Sequence, residues 1–146
     1  MKIKIKIVTK EYFLGDFTIE LETLPHFLLW NKEKVSNAPL SEMDLFEIEV
    51  ALEEVFVNII SYSGLSKTSL LKEDLYISDQ LVCCILEDSG KEFNPLKNIP
   101  QVDVTQSAEN RSLGGLGIFL VNEIMDQLSY ERVDNCNRLT LIKYIK

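Results

Sequence analysis

The 146-residue sequence has one histidine, three cysteines and no apolar run long enough to cross a bilayer, and each shortage excludes a class of protein. A lone imidazole cannot build a histidine cluster for a metal, so His26 reads as an incidental surface or core residue. Cys83 and Cys84 are adjacent within an apolar stretch and Cys136 stands apart, which matches neither a metal-ligand spacing nor a disulfide framework. A membrane-spanning helix needs about 20 apolar residues, and none of the apolar segments approaches that. The opening MKIKIKIVTK alternates Lys with Ile and lacks the unbroken apolar centre of a signal peptide. These features predict a cytoplasmic protein with no membrane contact. Positive charge is also scarce: 15 Lys and Arg face 23 Asp and Glu, a formal charge of -8. Lys2, Lys4, Lys6 and Lys10 are all in the first ten residues, leaving 11 bases against 23 acids beyond them. Nucleic acid is thereby excluded as a partner, because binding it requires a basic footprint. An anionic ligand would need neutralising help from a cation or from oriented backbone donors.

What is present is an ordinary globular composition, 46% hydrophobic and 26% charged, in a length that suits one domain. Ile3, Ile5 and Ile7 alternate with lysines as in an edge strand, and alternation resumes at Phe17–Leu21 after Gly15-Asp16, which predicts a hairpin over the first 21 residues. Thr23 then caps a helix with Pro25 in its first turn. Ser41-Glu42-Met43-Asp44 has capping-box spacing and opens a long helix reaching about Tyr62. Leu75–Ile77 and Leu81–Leu86 read as a hairpin about Ser78-Asp79-Gln80. Residues 96–112 are polar and aperiodic, a length of loop that usually serves as a lid. Gly114-Gly115-Leu116-Gly117 opens a helix to about Leu128, and strands at Tyr130–Val133 and Leu139–Ile145 flank a turn at Asp134–Asn137. No internal repeat or second domain is evident.

Three elements carry chemistry. Along the long helix, Leu45, Ile48, Leu52, Val55, Phe56 and Ile59 form a core stripe, with Glu47, Glu54, Asn58 and Ser61 gathered opposite. Glu54 and Asn58 are about 40° apart around that helix, so a carboxylate able to orient a hydroxyl and an amide oxygen able to ligate a hard cation reach one region; Glu53 points about 100° away. Asp88-Ser89-Gly90 ends an apolar strand, and an ionised carboxylate there accepts hydrogen bonds, as from an exocyclic amine. The glycine run at 114–117 offers backbone N–H groups at a helix N-terminus, an arrangement that binds phosphate, although neither the dinucleotide fingerprint nor the Walker pattern is present. Each element alone also matches something commonplace: a solvated helix face, a turn or a flexible loop.

In this order the elements resemble the ATP-binding domain of the superfamily that includes gyrase, Hsp90, histidine kinases and MutL. ALEEVFVNIISYSG is similar to its Asn-bearing box, LEDSGKEFNP to its Asp-x-Gly box, and SLGGLGIFLVNEIMDQLSYERVDNCNRLTLIKYIK to its glycine box and closing strands. The Phe-x-Pro ending, the GLGIFLV run and the small size most resemble anti-sigma factor serine kinases. The match covers about residues 17–146, with residues 1–16 an added N-terminal strand or hairpin and about 96–113 the ATP lid. The resemblance implies a single α+β domain, a two-layer sandwich of a mixed, mainly antiparallel sheet with helices on one face. It implies ATP and Mg2+ as cofactors: Glu54 as catalytic base, Asn58 as the Mg2+ ligand, Asp88 on the adenine amino group, Gly90 beside the base, Gly114, Gly115 and Gly117 around the phosphates, and Thr140 supporting the adenine pocket. Arg111 would assist from the lid. Tyr62 stands where the family often has His, Gly64 where it has an aromatic and Asn94 where it has Asp. A histidine kinase is set aside, since His26 lies in an LPHFLL context unlike a phosphoacceptor box. The expected function is a Mg-ATP-dependent protein serine/threonine kinase that binds a sigma-like factor and phosphorylates a small antagonist protein, with a homodimer possible; the alternative is a nucleotide-gated adaptor that transfers no phosphate.

Overall fold

The computed structural model describes residues 10–97 and 116–146. In chain order these form β1 (Glu11–Thr18), α1 (Leu24–Val35), α2 (Glu42–Tyr62), β2 (Leu70–Ile77), β3 (Leu81–Asp88), α3 (Leu116–Ile124), β4 (Gln127–Val133) and β5 (Cys136–Tyr144). The strands make one five-stranded sheet in the order β1-β2-β3-β5-β4. Every described pairing is antiparallel, so the fold is the expected α+β sandwich with a simpler sheet. Strand alternation divides the faces. Leu71, Leu75, Val82, Cys84, Leu86, Leu139 and Leu141 join Phe27, Ile48, Leu52, Val55 and Val121 of the helices in one core. Leu81, Cys83 and Ile142 form a smaller cluster on the other face.

Local chemistry explains the elements. Ser41 caps α2, its Oγ accepting from the Asp44 N–H at 3.1 Å, as its spacing predicts. The buried stripe of α2 (Ile48, Ala51, Leu52, Val55, Phe56) packs on α1 through Phe27, whose ring lies 4.7 Å from that of Phe56.

Thr23 precedes α1 but makes no side-chain cap on it, and three further expectations are corrected. Gly15-Asp16 is not a turn: β1 runs straight through it, with Gly15 opposite Glu73 and Asp16 opposite Lys72. The glycine serves close packing instead, since a Cβ there would sit 2.7 Å from Phe17 Cε2 and 3.1 Å from Trp30 Cζ2. The strand expected at Ile3–Ile7 falls outside the described residues. Secondly, α3 stops at Ile124, because the apolar pattern beyond it continues as β4, with Leu128 paired to Leu141. Thirdly, the last turn is tighter than expected. Asp134 (φ 51°) and Asn135 (φ 62°) alone make it, the two-residue left-handed pair that suits a hairpin. Cys136 and Asn137 therefore belong to β5.

Glu73 is the unusual core residue. It is fully buried on the helix face of β2, and its Oε1 accepts from Asn31 Nδ2 at 2.9 Å. Asn31 Nδ2 also donates to the Phe27 carbonyl at 3.0 Å. Glu73 Oε2 and Asn31 Oδ1 have no partner among the described residues, and both are acceptors, so a proton is what the pair lacks. Burial pushes the Glu73 carboxyl up to about 8, outweighing the opposing Asn31 hydrogen bond. The folded chain thus holds a proton that the unfolded chain, with an ordinary carboxyl near 4.5, releases. The stabilisation is complete below that lower value and is lost as pH climbs through the window to about 8. The wild-type thermal midpoint should therefore fall by about 5 °C or more from mildly acidic to mildly alkaline pH relative to Glu73→Gln, in which nothing ionises there. Parallel melting profiles for the two proteins would rule this out.

Candidate functional site

The C-terminal half of α2, the end of β3 and the start of β5 enclose a recess. It is narrow, with about 30 Å3 of space that a water-sized sphere can reach. Val55, Ile59, Leu86 and Leu139 give it apolar walls, Asn58 and Asp88 give it polarity, and Tyr62 and Phe93 stack at 4.8 Å with only 12° between their planes. Such a combination, apolar walls with a few convergent polar groups, is typical of a small-molecule site.

Asp88 reaches the recess because β3 alternates, with Val82, Cys84, Leu86 and Asp88 all on the helix face. It is 7% exposed. Gly90 N–H donates to its Oδ1 at 2.9 Å and Asn137 Nδ2 to the same oxygen at 3.1 Å. Among the described residues Oδ2 accepts nothing, so it is the oxygen with lone pairs to offer an incoming donor. Gly90 has to be glycine: a Cβ would come within 2.6 Å of the Ser63 carbonyl oxygen and 2.8 Å of Asp88 Oδ1. Arg132 Nη1 donates to the Gly90 carbonyl at 2.7 Å and holds the turn from the other side.

Asn137 is the functional residue that sequence reasoning missed. It pairs in register with Asp88 across β3 and β5. Its Oδ1 accepts from Tyr130 Oη at 2.6 Å and from the Phe93 N–H at 3.1 Å, and its Nδ2 donates to Asp88 and, at 2.8 Å, to the Lys91 carbonyl. The amide's four hydrogen-bonding positions are all engaged, which ties the Asp88-Ser89-Gly90 turn, the Phe93 segment and β4 to one side chain. Burial raises the Tyr130 phenol, which keeps it a donor. The missed signal was Asp134-Asn135: read as a two-residue turn, it places residues 137, 139 and 141 on the core face. Asn137→Ala would leave several buried partners unsatisfied and should lower stability by about 2 to 3 kcal/mol, measured by denaturant unfolding. A change within about 0.5 kcal/mol would remove Asn137 from this role.

The other sequence candidates divide. Asn58 stands in the recess wall, and Glu54, one turn earlier and half-buried, lies against the first turn of α3. A Cβ at Gly117 would overlap Glu54 Oε2, so a larger residue there would push that carboxylate aside. The structure therefore brings Glu54, Asn58, Asp88, Gly90 and Gly117 to one side of the molecule, along α2. Thr140 is not among them. It is half-buried in register with Ile85 and Ser129 on the opposite sheet face, and Asn137 and Leu139 take the places beside the recess. Gly114, Gly115, Arg111 and nearly all of the expected lid lie outside the described residues. At the edge of that span, Asn94 Oδ1 accepts from the Leu96 N–H at 2.9 Å. His26 packs by Phe17, with ring centres 5.6 Å apart, and Cys83 and Cys84 are buried free thiols, so none of them is part of the recess.

Among the described residues no helix is long and apolar enough to cross a membrane. The sequence is 25% identical over 116 residues to the serine-protein kinase RsbW of Staphylococcus epidermidis, covering 76% of this chain and 72% of that protein. In structure it is similar to the RsbU and RsbW domains of a Mycobacterium tuberculosis protein (TM-score 0.65, 9% identity, 92% of this chain and 32% of that one). The present chain thus spans about a third of that larger protein. It is also similar to a chain of the SiaB–SiaC complex of Pseudomonas aeruginosa (TM-score 0.57, 12% identity, 91% and 89%). These likenesses to solved structures establish the fold. The model of the histidine kinase-like ATPase domain matches residues 17–143, nearly the whole described molecule together with the segment bearing the glycine run, and the chain belongs to that family.

Proposed function

We propose that this protein is a Mg-ATP-dependent protein serine/threonine kinase of the anti-sigma type, acting in the cytoplasm on a small antagonist protein and binding a sigma-like factor. The observation that carries the reading is the layout along α2: Asp88 turns an unshared carboxylate oxygen toward an apolar recess, and Glu54, at the other end, meets the helix that begins in the glycine run. Adenine fits the first feature, since its amino group is a donor and its ring is apolar on both faces. Phosphates fit the second, through orphan N–H groups at a helix N-terminus, with Gly117 and, by resemblance, Gly114 and Gly115.

The residues also fit a magnesium ion. Among the described residues no three His, Cys, Asp or Glu side chains cluster as a metal site, but Mg2+ bound with a nucleotide needs only one or two protein oxygens, the phosphates and water completing its shell. Asn58 would hold it. When bound, the ion would neutralise charge on the phosphates, beside the N–H groups at the start of α3. The protein's own part is positioning. Asp88 fixes the base, Asn137 fixes Asp88, and Glu54 accepts a hydrogen bond from the serine hydroxyl and takes its proton as the phosphoryl group is transferred. The similarity to the serine-protein kinase RsbW supports the reaction class, and the similarity to a chain of the SiaB–SiaC complex supports a protein partner.

The test is transfer of labelled phosphate from Mg-ATP to a serine of a small candidate antagonist, run beside thermal unfolding. Nucleotide at about 100 times its dissociation constant should add about 2.7 kcal/mol of stability. Stabilisation without transfer to any candidate would favour a nucleotide-gated adaptor, and no stabilisation at saturation would sink the proposal.

A further inference from the structure

A second concavity lies on the N-terminal half of α2, away from the nucleotide recess. It runs between α1 and α2 and, counted in the same way, holds about 380 Å3. Leu28 and Val35 of α1 face Leu45, Ile48 and Leu52 of α2 across it. Asn31, the one buried polar residue in its wall, has its Nδ2 bonded to Glu73 and the Phe27 carbonyl, while its Oδ1 is the unpartnered acceptor beside Glu73. Part of the rim is apolar as well: Phe46 is 59% exposed at the groove, and Met43 and Leu29, one helical turn from the lining residues Phe46 and Lys32, are 64% and 54% exposed. Large apolar side chains grouped this way on a soluble surface mark a contact site.

Charge selects the occupant. Six of the 21 residues of α2 are acidic and none is basic; Glu42 and Glu49 stand on the α2 edge of the groove, where the acids outnumber the single base, Lys32, on the α1 edge. A second copy packed α2 against α2 about a two-fold axis would set like charges together. An extended segment would leave its backbone N–H and C=O groups facing helices whose own backbone bonds are closed. A helix has no such cost, and the stretches of α1 and α2 that line the groove are about 12 to 16 Å long, room for two to three turns. We propose that the α1–α2 groove docks an amphipathic helix of a partner protein, with apolar side chains at i, i+3/i+4 and i+7 seated among Leu28, Leu45, Phe46 and Leu52, and with Lys or Arg flanking them against Glu42 and Glu49.

The probe is a helical peptide of two heptads built only from Leu and Lys in an amphipathic pattern, titrated into the full chain and followed by amide chemical shifts. Its counterpart carries Glu at every Lys. The Leu/Lys peptide should bind with shifts concentrated at Leu28, Lys32, Phe46 and Glu49. Phe46→Ser and Glu49→Lys should each weaken it about tenfold, the loss expected for a central aromatic anchor or a reversed charge. Phe46 is exposed and Glu49 half-buried at the groove's edge, and neither is in the core, so the fold survives either change, and Asp88→Asn, at the nucleotide recess, should leave the peptide affinity as it was. Equal binding of the Leu/Glu peptide, shifts centred outside the groove, or wild-type affinity in both groove variants would overturn the proposal. So would concentration-dependent dimerisation abolished by Phe46→Ser, which would assign the groove to a second copy.

Discussion

Glu54→Gln should bind Mg-ATP within about threefold of wild type and transfer phosphate at least about 100-fold more slowly, the range associated with losing a positioned general base. The two side chains are isosteric, so the amide can keep the contact with the first turn of α3 that Gly117 permits. What it loses is basicity: an amide oxygen can accept the serine hydroxyl's hydrogen bond but cannot take its proton. Removing a negative charge near the phosphates also leaves no reason for weaker binding, so affinity and turnover should separate. Titration calorimetry for the first and single-turnover transfer for the second check this. Transfer at the wild-type rate would take the catalytic role from Glu54; loss of both properties would make it structural.

Asp88→Asn should have the opposite signature, losing nucleotide affinity by about 10- to 150-fold, the equivalent of one charge-assisted hydrogen bond left unmade. Its Oδ1 is held by two donors, the Gly90 N–H and Asn137 Nδ2. An asparagine at this position keeps its single oxygen on those donors and so turns its NH2 group into the recess. A donor then faces the amino group of the base, where an acceptor stood. The fold should be intact, since both internal bonds survive, and the thermal midpoint without nucleotide should stay within a few degrees of wild type. Unchanged ATP affinity would show that Asp88 does not read the base. A guanine nucleotide that gained affinity in the variant would strengthen the assignment, because guanine presents an acceptor where adenine has its amine.

The two halves of the site differed in how far they were legible beforehand. Glu54 and Asn58 are on one helix, whose capping residue Ser41 and 3.6-residue period are written locally, so their common face follows from geometry. Asp88 ends a strand whose apolar alternation is equally plain. Thr140 and Asn137 went differently, because their roles depend on strand register, and a strand shifted by one residue turns each of its side chains to the other face. The register here follows from two residues, Asp134 and Asn135, both in left-handed conformation. Gly15 misled for a related reason: a glycine in a polar dipeptide has the composition of a turn, and only the rings of Phe17 and Trp30 reveal that it marks a close approach.

By itself the sequence determined the capped central helix, the carboxylate at the end of β3, the family and an acidic body, since all of these rest on residue identity and short-range spacing. Tertiary structure decided which residue stands beside Asp88, which face Thr140 takes, that Glu73 is buried with its proton, and that α1 and α2 leave a groove between them. Those depend on contacts between segments far apart in the chain, where packing and register, rather than local preference, select the partner of each side chain.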